Sequence, residues 1–204
     1  RAAGRSNCCS PFSAKLKCGD CGAYFGSKVW HSNSKYRRVI YQCNSKFKGS
    51  HFCTTPHLYE PEIQEKFLQA FAQYFSQKDV VIKNCQFALN CLKKQESKKK
   101  ELQDELVAVN EKLKEYIQHG GEDFDALNAK YEELSAQLDA EEAAESDRKR
   151  RIAKMQKILQ TLKKTDSVLE TFDESVWNAV LENLTVFHDG SLVFLFRDGT
   201  EIKV

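Results

Sequence analysis

The sequence is poor in several features, and each shortage narrows the possibilities. Only 3 of its 204 residues are proline and 9 are glycine, which excludes a collagen-like chain. No stretch approaches the roughly 20 consecutive apolar residues of a membrane-spanning helix, so we expect no membrane partner. The chain does not open with a basic segment followed by an apolar one, so no secretory signal is predicted. Its length suits one or two modest domains.

Acidic residues are scarce at the start of the chain. Residues 1–60 contain ten Lys and Arg but only two acidic residues, a balance of +8, whereas residues 61–204 have a balance of −6. The overall charge of +2 hides this difference. The basic first part predicts contact with a polyanion. A basic surface that is simply solvated is the alternative.

The cysteine spacing predicts a metal site. Cys18 and Cys21 form a C-x2-C pair, and Cys43 and Cys53 follow downstream. This pattern is typical of zinc, and a disulfide alternative is disfavoured without a secretory signal. Four thiolates leave no open position for water, so we predict one structural Zn2+ that reduces the basic balance to +6.

Other possible ligands and thiols fit the pattern less well. His51 and His57 could replace a cysteine, but each is more typical of a polar loop residue or a phosphate contact. Four further cysteines lie outside the spacing and are interpreted as structural or incidental thiols: Cys8, Cys9, Cys85 and Cys91.

The segment between the cysteine pairs predicts a β-hairpin. Residues 23–30 and 36–43 are rich in aromatic and β-branched residues, and the turn cluster 31–35 separates them. A hairpin between two pairs of metal ligands is the plan of a zinc ribbon. A helix over 61–75 follows, with Pro61 at its start and an apolar stripe that is more typical of core.

Two heptad series predict a long helical hairpin. Apolar residues recur at seven-residue spacing over 92–116 and again over 127–162, and Gly120-Gly121 breaks the helix between them. Two such arms around one turn make an antiparallel coiled coil. In this register paired residue numbers sum to about 241, which places Lys99 opposite Glu141 and Glu142.

The same register places Glu96 near Arg148, so opposite charges face each other across the pair. Apolar residues collect at the turn, where we expect a contact with another protein, although they could instead cap the hairpin's own core. This predicted tip comprises Tyr116, Ile117, Phe124 and Leu127.

The end of the chain predicts a short helix and three strands. The helix contains Phe172 and continues to Leu184, and strands follow over 184–188, 191–197 and 200–204 with Asp-Gly turns between them. This sheet must pack on the ribbon and the helix at 61–75.

The predicted fold is therefore α+β: a small zinc ribbon with packed helices, interrupted by a long antiparallel coiled-coil hairpin. We expect a linker at 1–11 and the first part of the ribbon domain at 12–78. The insertion is expected at 79–165, and the closing helix and hairpins at 166–204.

Several segments resemble one family. Residues 7–21, the heptad hairpin and the ending 177–204 resemble the zinc ribbon domain and coiled-coil motif of large serine recombinases, the phage integrases and transposases. The resemblance implies a carboxy-terminal, DNA-binding fragment after a linker from a preceding DNA-binding domain. The given sequence contains no segment that resembles the family's catalytic domain. We therefore assign no catalytic residue and leave enzymatic activity open.

The resemblance also implies roles for the parts. The ribbon would recognise double-stranded attachment-site DNA, and the coiled coil would pair recombinase subunits and respond to a directionality factor, in the cytoplasm of a bacterial host. Arg1 and Arg5 could lie in a narrow minor groove, with phosphates contacted by Lys46 and Lys48. The remaining predicted DNA contacts are Lys28, Trp30, His31, Lys35, Arg37 and Arg38.

Two other functions compete with this one. A zinc-stabilised coiled-coil adaptor that binds only proteins is the main alternative, but it does not require a basic, aromatic-rich head. A zinc hydrolase is disfavoured because it needs an open metal position and a carboxylate base, and residues 1–60 offer only Asp20 and Glu60.

Overall fold

A computed structural model of the chain describes residues 10–47, 53–94, 97–119 and 124–204. These residues form seven strands and five helices, which confirms the α+β class. In chain order the elements are β1 (Leu16–Cys18), β2 (Phe25–Trp30), β3 (Arg38–Cys43), β4 (Leu58–Tyr59), α1 (Glu60–Ser76), α2 (Lys78–Lys94), α3 (Lys99–His119), α4 (Phe124–Lys164), α5 (Glu174–Val180), β5 (Leu181–Val186), β6 (Leu192–Phe196) and β7 (Glu201–Lys203).

The chain divides into two compact units. The described residues up to Cys85 form the first together with Lys154–Val204, and we call it the ribbon unit. The second comprises Gln86–Ala153, and we call it the helical unit. No helix within the described ranges is long and apolar enough to cross a bilayer.

The ribbon unit contains two small sheets. Strands β2, β3 and β4 pair antiparallel, and Phe25 lies opposite Cys43 in the predicted hairpin. The second sheet has the order β1-β5-β6-β7. Here β1 pairs in parallel with β5, and the predicted Asp-Gly hairpins join β5, β6 and β7. The beginning and the end of the chain therefore share one sheet.

An aromatic core joins these parts of the ribbon unit. Trp177 of α5 is fully buried, and its ring packs edge-on against Phe67 of α1 and against Phe12. Its indole Nε1 donates a hydrogen bond to the carbonyl oxygen of Pro11 at 2.9 Å. The predicted packing of the chain's end on the ribbon and on the helix at 61–75 is confirmed.

The closing helix is shorter than predicted. Asp173 caps its start by accepting hydrogen bonds from two backbone N–H groups, but the helix ends at Val180 and β5 begins at Leu181 rather than at residue 184. The Lys15 ammonium donates to the carbonyl oxygens of Trp177 and Leu181. The Trp177 carbonyl also accepts from the backbone N–H of Leu181, and the Leu181 carbonyl also accepts from Arg197, so Lys15 adds to the hydrogen bonds at the helix end.

The helical unit follows the predicted heptads. In α3 the less exposed residues are 99, 102, 106, 109, 113 and 116. In α4 every predicted seam position from 127 to 152 is partly or fully buried. Lys99 forms an ion pair of 2.8 Å with Glu142. The rings of Tyr116 and Phe124 lie 5.4 Å apart. Contacts near both ends of α3 confirm that α3 and α4 run antiparallel as a hairpin.

The first helical arm is interrupted, which the heptads did not predict. Helix α2 ends at Lys94 and α3 begins at Lys99, with Ser97 and Lys98 outside both helices. The Ser97 hydroxyl accepts a hydrogen bond from the backbone N–H of Lys99, as a capping residue does. Glu96, the predicted partner of Arg148, and the Gly120-Gly121 turn lie outside the described residues.

Candidate metal centre and nucleic-acid interface

Four cysteines from separate parts of the ribbon unit meet at one point. Cys18 ends β1, Cys21 lies in the following turn, Cys43 ends β3, and Cys53 lies before β4. Their Sγ atoms all lie within 4.8 Å of one another, with Cys18 and Cys53 3.4 Å apart and Cys21 and Cys43 3.3 Å apart. The structure thus brings together the ligand set that the spacing predicts.

A tight turn holds the first two cysteines. The backbone N–H of Gly22 donates to the carbonyl oxygen of Cys18, and Gly22 has φ +71°, a conformation that glycine adopts without strain. Gly19 lies against the ring of Phe187, where a Cβ would come within 2.5 Å of ring carbons. The turn is therefore fixed both by its own hydrogen bond and by the sheet beside it.

The cluster fits one zinc ion. Tetrahedral Zn–S bonds of about 2.3 Å place sulfur atoms about 3.8 Å apart, close to the separations found here. Three of the four cysteines are buried, and all four ligands come from the protein. Such a closed site stabilises a fold and offers no position for a reacting water. The centre is structural.

The pKa values of the cysteine thiols differ because their surroundings differ. Burial alone would raise the pKa of Cys18, but hydrogen bonds from the Thr55 hydroxyl and from backbone N–H groups lower it to about 7. Burial raises the pKa of Cys43 to about 12. Because zinc binds thiolates, metal binding must release protons from this site.

The other possible ligands lie elsewhere. His57 Nε2 is 3.2 Å from the hydroxyl of Tyr59, and its ring packs on Trp30, so it does not join the cysteine cluster. Cys85 is buried and Cys91 is exposed, both on α2. His51, Cys8 and Cys9 lie outside the described residues.

One face of the three-stranded sheet carries basic and aromatic side chains. Directly paired residues share a face. Trp30 lies opposite Arg38, and Lys28 lies opposite Ile40, which in turn lies opposite Tyr59. We call the surface formed by Lys28, Trp30, Arg38, His57 and Tyr59 the ribbon face.

The rings of the ribbon face contact one another. Trp30 and His57 have ring centroids 4.7 Å apart, and His57 and Tyr59 lie 5.2 Å apart edge to face. The Arg38 guanidinium lies 5.7 Å from the Tyr59 ring. Sequence reasoning did not include Tyr59 and mentioned His57 only as a ligand or phosphate contact. Strand β4 has only two residues, so the sequence around it is too short to show the alternation of a strand.

The hairpin turn next to the ribbon face is exposed and basic. Residues 27–38 are all exposed, and His31 has φ +52°. Within the described ranges, no ion pair involves Lys35, Arg37 or Arg38. Lys35 and Arg38 lie over the rings of Tyr36 and Tyr59, and none of the three cations has a carboxylate partner in the described part of the chain that an external anion would have to displace.

Not every predicted DNA contact lies on this surface. The Lys46 ammonium donates to the carbonyl oxygen of Thr55 at 3.0 Å, and the residue is partly buried. Arg1, Arg5 and Lys48 lie outside the described residues.

The predicted tip residues lie at the facing ends of α3 and α4. Tyr116 and Phe124 contact each other, Leu127 is half-buried, and Ile117 is 75% exposed. The hairpin's own packing therefore uses part of this set and leaves Ile117 on the surface.

These observations define the beginning of the chain as a zinc ribbon. Residues 11–72 match the sequence model of the family described as recombinase zinc beta ribbon domain. This segment is therefore similar to a recombinase zinc ribbon, in agreement with the resemblance.

Two further comparisons complete the picture. A solved chain described as the crystal structure of an LSR–DNA complex, where LSR denotes a large serine recombinase, aligns with 94% of this chain at 17% identity and a TM-score of 0.41. The alignment covers 57% of that chain, so the present chain spans little more than half its length. A search of curated proteins gave no match.

Proposed function

We propose that this chain is the DNA-binding and subunit-pairing part of a large serine recombinase of the integrase or transposase type. The observation that carries the proposal is the ribbon face together with the exposed basic turn, on a zinc ribbon of the recombinase family. Cleavage and rejoining of DNA would belong to the catalytic domain of such a recombinase, and we assign no catalytic role to a residue of this chain.

The chemistry of this surface suits duplex DNA. Lys28, Lys35 and Arg37 offer charges to phosphates, and arginine can also donate two hydrogen bonds to the edge of guanine in the major groove. Strands β2 and β3 form a two-stranded ribbon, an element that the major groove admits, and its turn end over 27–38 is exposed. The attachment site of a mobile element is the proposed target, in the cytoplasm of a bacterial host.

Binding to duplex DNA at increasing salt concentrations tests this proposal. Each neutralised phosphate steepens the fall of log K against log salt by about 0.9. Arg37→Ala with Arg38→Ala should weaken binding and flatten that slope by about two phosphates. Lys112→Ala with Lys114→Ala, the same charge change at exposed residues of α3, is the matched control and should leave binding unchanged.

The adaptor alternative makes the opposite forecast. A protein-binding adaptor would show weak binding to duplex DNA, and the ribbon and control variants would change it equally. Equal loss in the two double variants would therefore contradict DNA recognition by the ribbon.

We also propose that the tip pairs subunits. Ile117 is 75% exposed and Phe124 is 41% exposed. Exposed apolar residues at the end of the hairpin favour contact with the same surface of another subunit. Pairing of two tips would bring two DNA sites together, and a directionality factor could control it.

Sedimentation of this chain on duplex DNA tests tip pairing. Ile117→Ser should lower the fraction of complexes that contain two duplexes, without changing the affinity for one duplex. Val107→Ser, at another exposed apolar residue of α3, is the control and should have no effect. Equal behaviour of the two variants would refute the proposal. Roles for Arg1, Arg5, Lys46 and Lys48 on the DNA backbone remain part of the same proposal.

A further inference from the structure

A buried hydroxyl lies beside the metal centre, and the cysteine spacing gives no hint of it. Thr55 is fully buried, and its Oγ1 is 2.9 Å from Cys18 Sγ and 3.0 Å from Cys53 Sγ. The same hydroxyl is also placed to donate a hydrogen bond to Oδ2 of Asp20 at 3.0 Å. One hydroxyl thus contacts two of the four predicted ligands and the carboxylate between Cys18 and Cys21.

The number of protons restricts what this hydroxyl can do. A threonine hydroxyl has one proton to donate, whereas a metal-bound thiolate and a carboxylate can only accept. Cys18, Cys53 and Asp20 therefore compete for a single hydrogen bond. Asp20 has another polar neighbour, since His188 Nδ1 lies 3.4 Å from its Oδ1. The two thiolates have no comparable side-chain donor among the described residues.

The backbone of Thr55 is also fixed. Its carbonyl oxygen accepts a hydrogen bond from the Lys46 ammonium, and the backbone N–H of Lys46 donates to the carbonyl oxygen of Cys43. Thr55 is thus connected to Cys18 and Cys53 through its side chain and to the Cys43 segment through its backbone. It links the two halves of the ligand set.

We propose that Thr55 is a positioning residue of the zinc centre, whose hydroxyl donates a hydrogen bond to a bound thiolate, that of Cys18 or Cys53, and thereby slows release of the metal. Partners of this kind orient metal ligands, and their loss typically costs about 10-fold to 100-fold in metal affinity. Both sulfurs lie within 3.0 Å of the hydroxyl, so either thiolate is close enough to accept the bond. The role concerns the zinc centre alone and does not depend on DNA binding.

Three variants of the zinc-loaded chain test the proposal. Thr55→Val keeps the side-chain volume and removes the hydroxyl, Thr55→Ala removes both, and Thr55→Ser keeps the hydroxyl and removes the methyl group. The measurement is the rate of zinc release to excess EDTA. We expect release about 10-fold faster in Thr55→Val and Thr55→Ala and within about 2-fold of the native rate in Thr55→Ser.

A role in packing alone predicts a different order. Thr55→Val would then behave like the native chain, and Thr55→Ser would release zinc faster, which would overturn the proposal. If Thr55→Val takes up no zinc, the comparison of Thr55→Ala with Thr55→Ser decides, and equal rates in these two count against it.

Cobalt substitution supplies a second readout. The thiolate-to-cobalt absorption band should shift in Thr55→Val and Thr55→Ala and return to its native position in Thr55→Ser, because a hydrogen bond lowers the donor strength of a thiolate. An unshifted band in all three variants would contradict a hydrogen bond to the ligand.

Discussion

The two units of this chain are stabilised in different ways. The ribbon unit combines two sheets, a metal centre and a core around Trp177, and residues far apart in sequence pair within it. In the helical unit only Leu89, Val109 and Leu134 are in the most buried class of the described residues. Its order depends on repeated local contacts along one seam. The comparison shows that metal and long-range pairing dominate one unit, while heptad periodicity suffices for the other.

Loss of zinc should produce the largest difference in stability between the two units. Cys18→Ser removes a buried ligand, and structural zinc contributes on the order of 10 kcal/mol to folding of small zinc modules. We expect the ribbon's dispersed amide resonances to collapse while the far-UV circular dichroism of α3 and α4 is largely retained. Cys91→Ser, at an exposed cysteine outside the site, is the control. Parallel loss of helical signal would contradict the independence of the helical unit.

Replacing each of the two tryptophans tests which of them belongs to the core of the ribbon unit. Trp177 is fully buried, whereas Trp30 is 38% exposed on the ribbon face. Trp177→Ala should lower the free energy of unfolding by about 3–5 kcal/mol, and Trp30→Ala by about 0.5 kcal/mol or less. Urea unfolding of the zinc-loaded chain measures both values. Similar losses would show that Trp30 belongs to the core after all.

The pH dependence of the ribbon unit should depend on Lys15. Burial lowers the pKa of Lys15 from 10.5 to about 8, and the nearby Arg197 charge acts in the same direction. Between those pH values the unfolded chain binds more protons at this residue than the folded chain, so its contribution to stability rises with pH. Lys15→Met should flatten the rise between pH 8 and 10.5 in urea unfolding. An unchanged pH profile would argue against burial of this ammonium.

The ion pair of the helical unit should have the smallest effect. The Lys99 ammonium and the Glu142 carboxylate are both partly exposed, and salt screens such pairs. Lys99→Ala should lower the melting temperature of the helical signal slightly at low salt and not at high salt. Lys100→Ala, an exposed neighbour without an ion pair in the described part of the chain, is the control. A large or salt-independent loss would mean that Lys99 is packed rather than paired.

The same contrast explains what the sequence could predict. The spacing of Cys18, Cys21, Cys43 and Cys53 and the heptads of α3 and α4 are local patterns, so both the ligand set and the antiparallel register were predicted correctly. The Asp-Gly turns also identified the closing hairpins.

Features that depend on distant partners were missed. Strand β1 has three residues and pairs with β5, which lies more than 160 residues later, and α5 ends where Leu181 begins to pair with Phe196 of β6. Thr55 and Tyr59 acquire their neighbours only when the chain has folded. Periodicity in the sequence does not predict such contacts, because these strands and helices are too short to repeat a hydrophobic pattern.

The most direct test of the proposed function is a chemical-shift map of the zinc-loaded chain with duplex DNA. The account predicts that resonances of the ribbon face and of the turn at 31–37 shift on binding, and that those of α3 and α4 away from the tip do not. Shifts confined to α3 and α4, or no shifts at low salt, would contradict it.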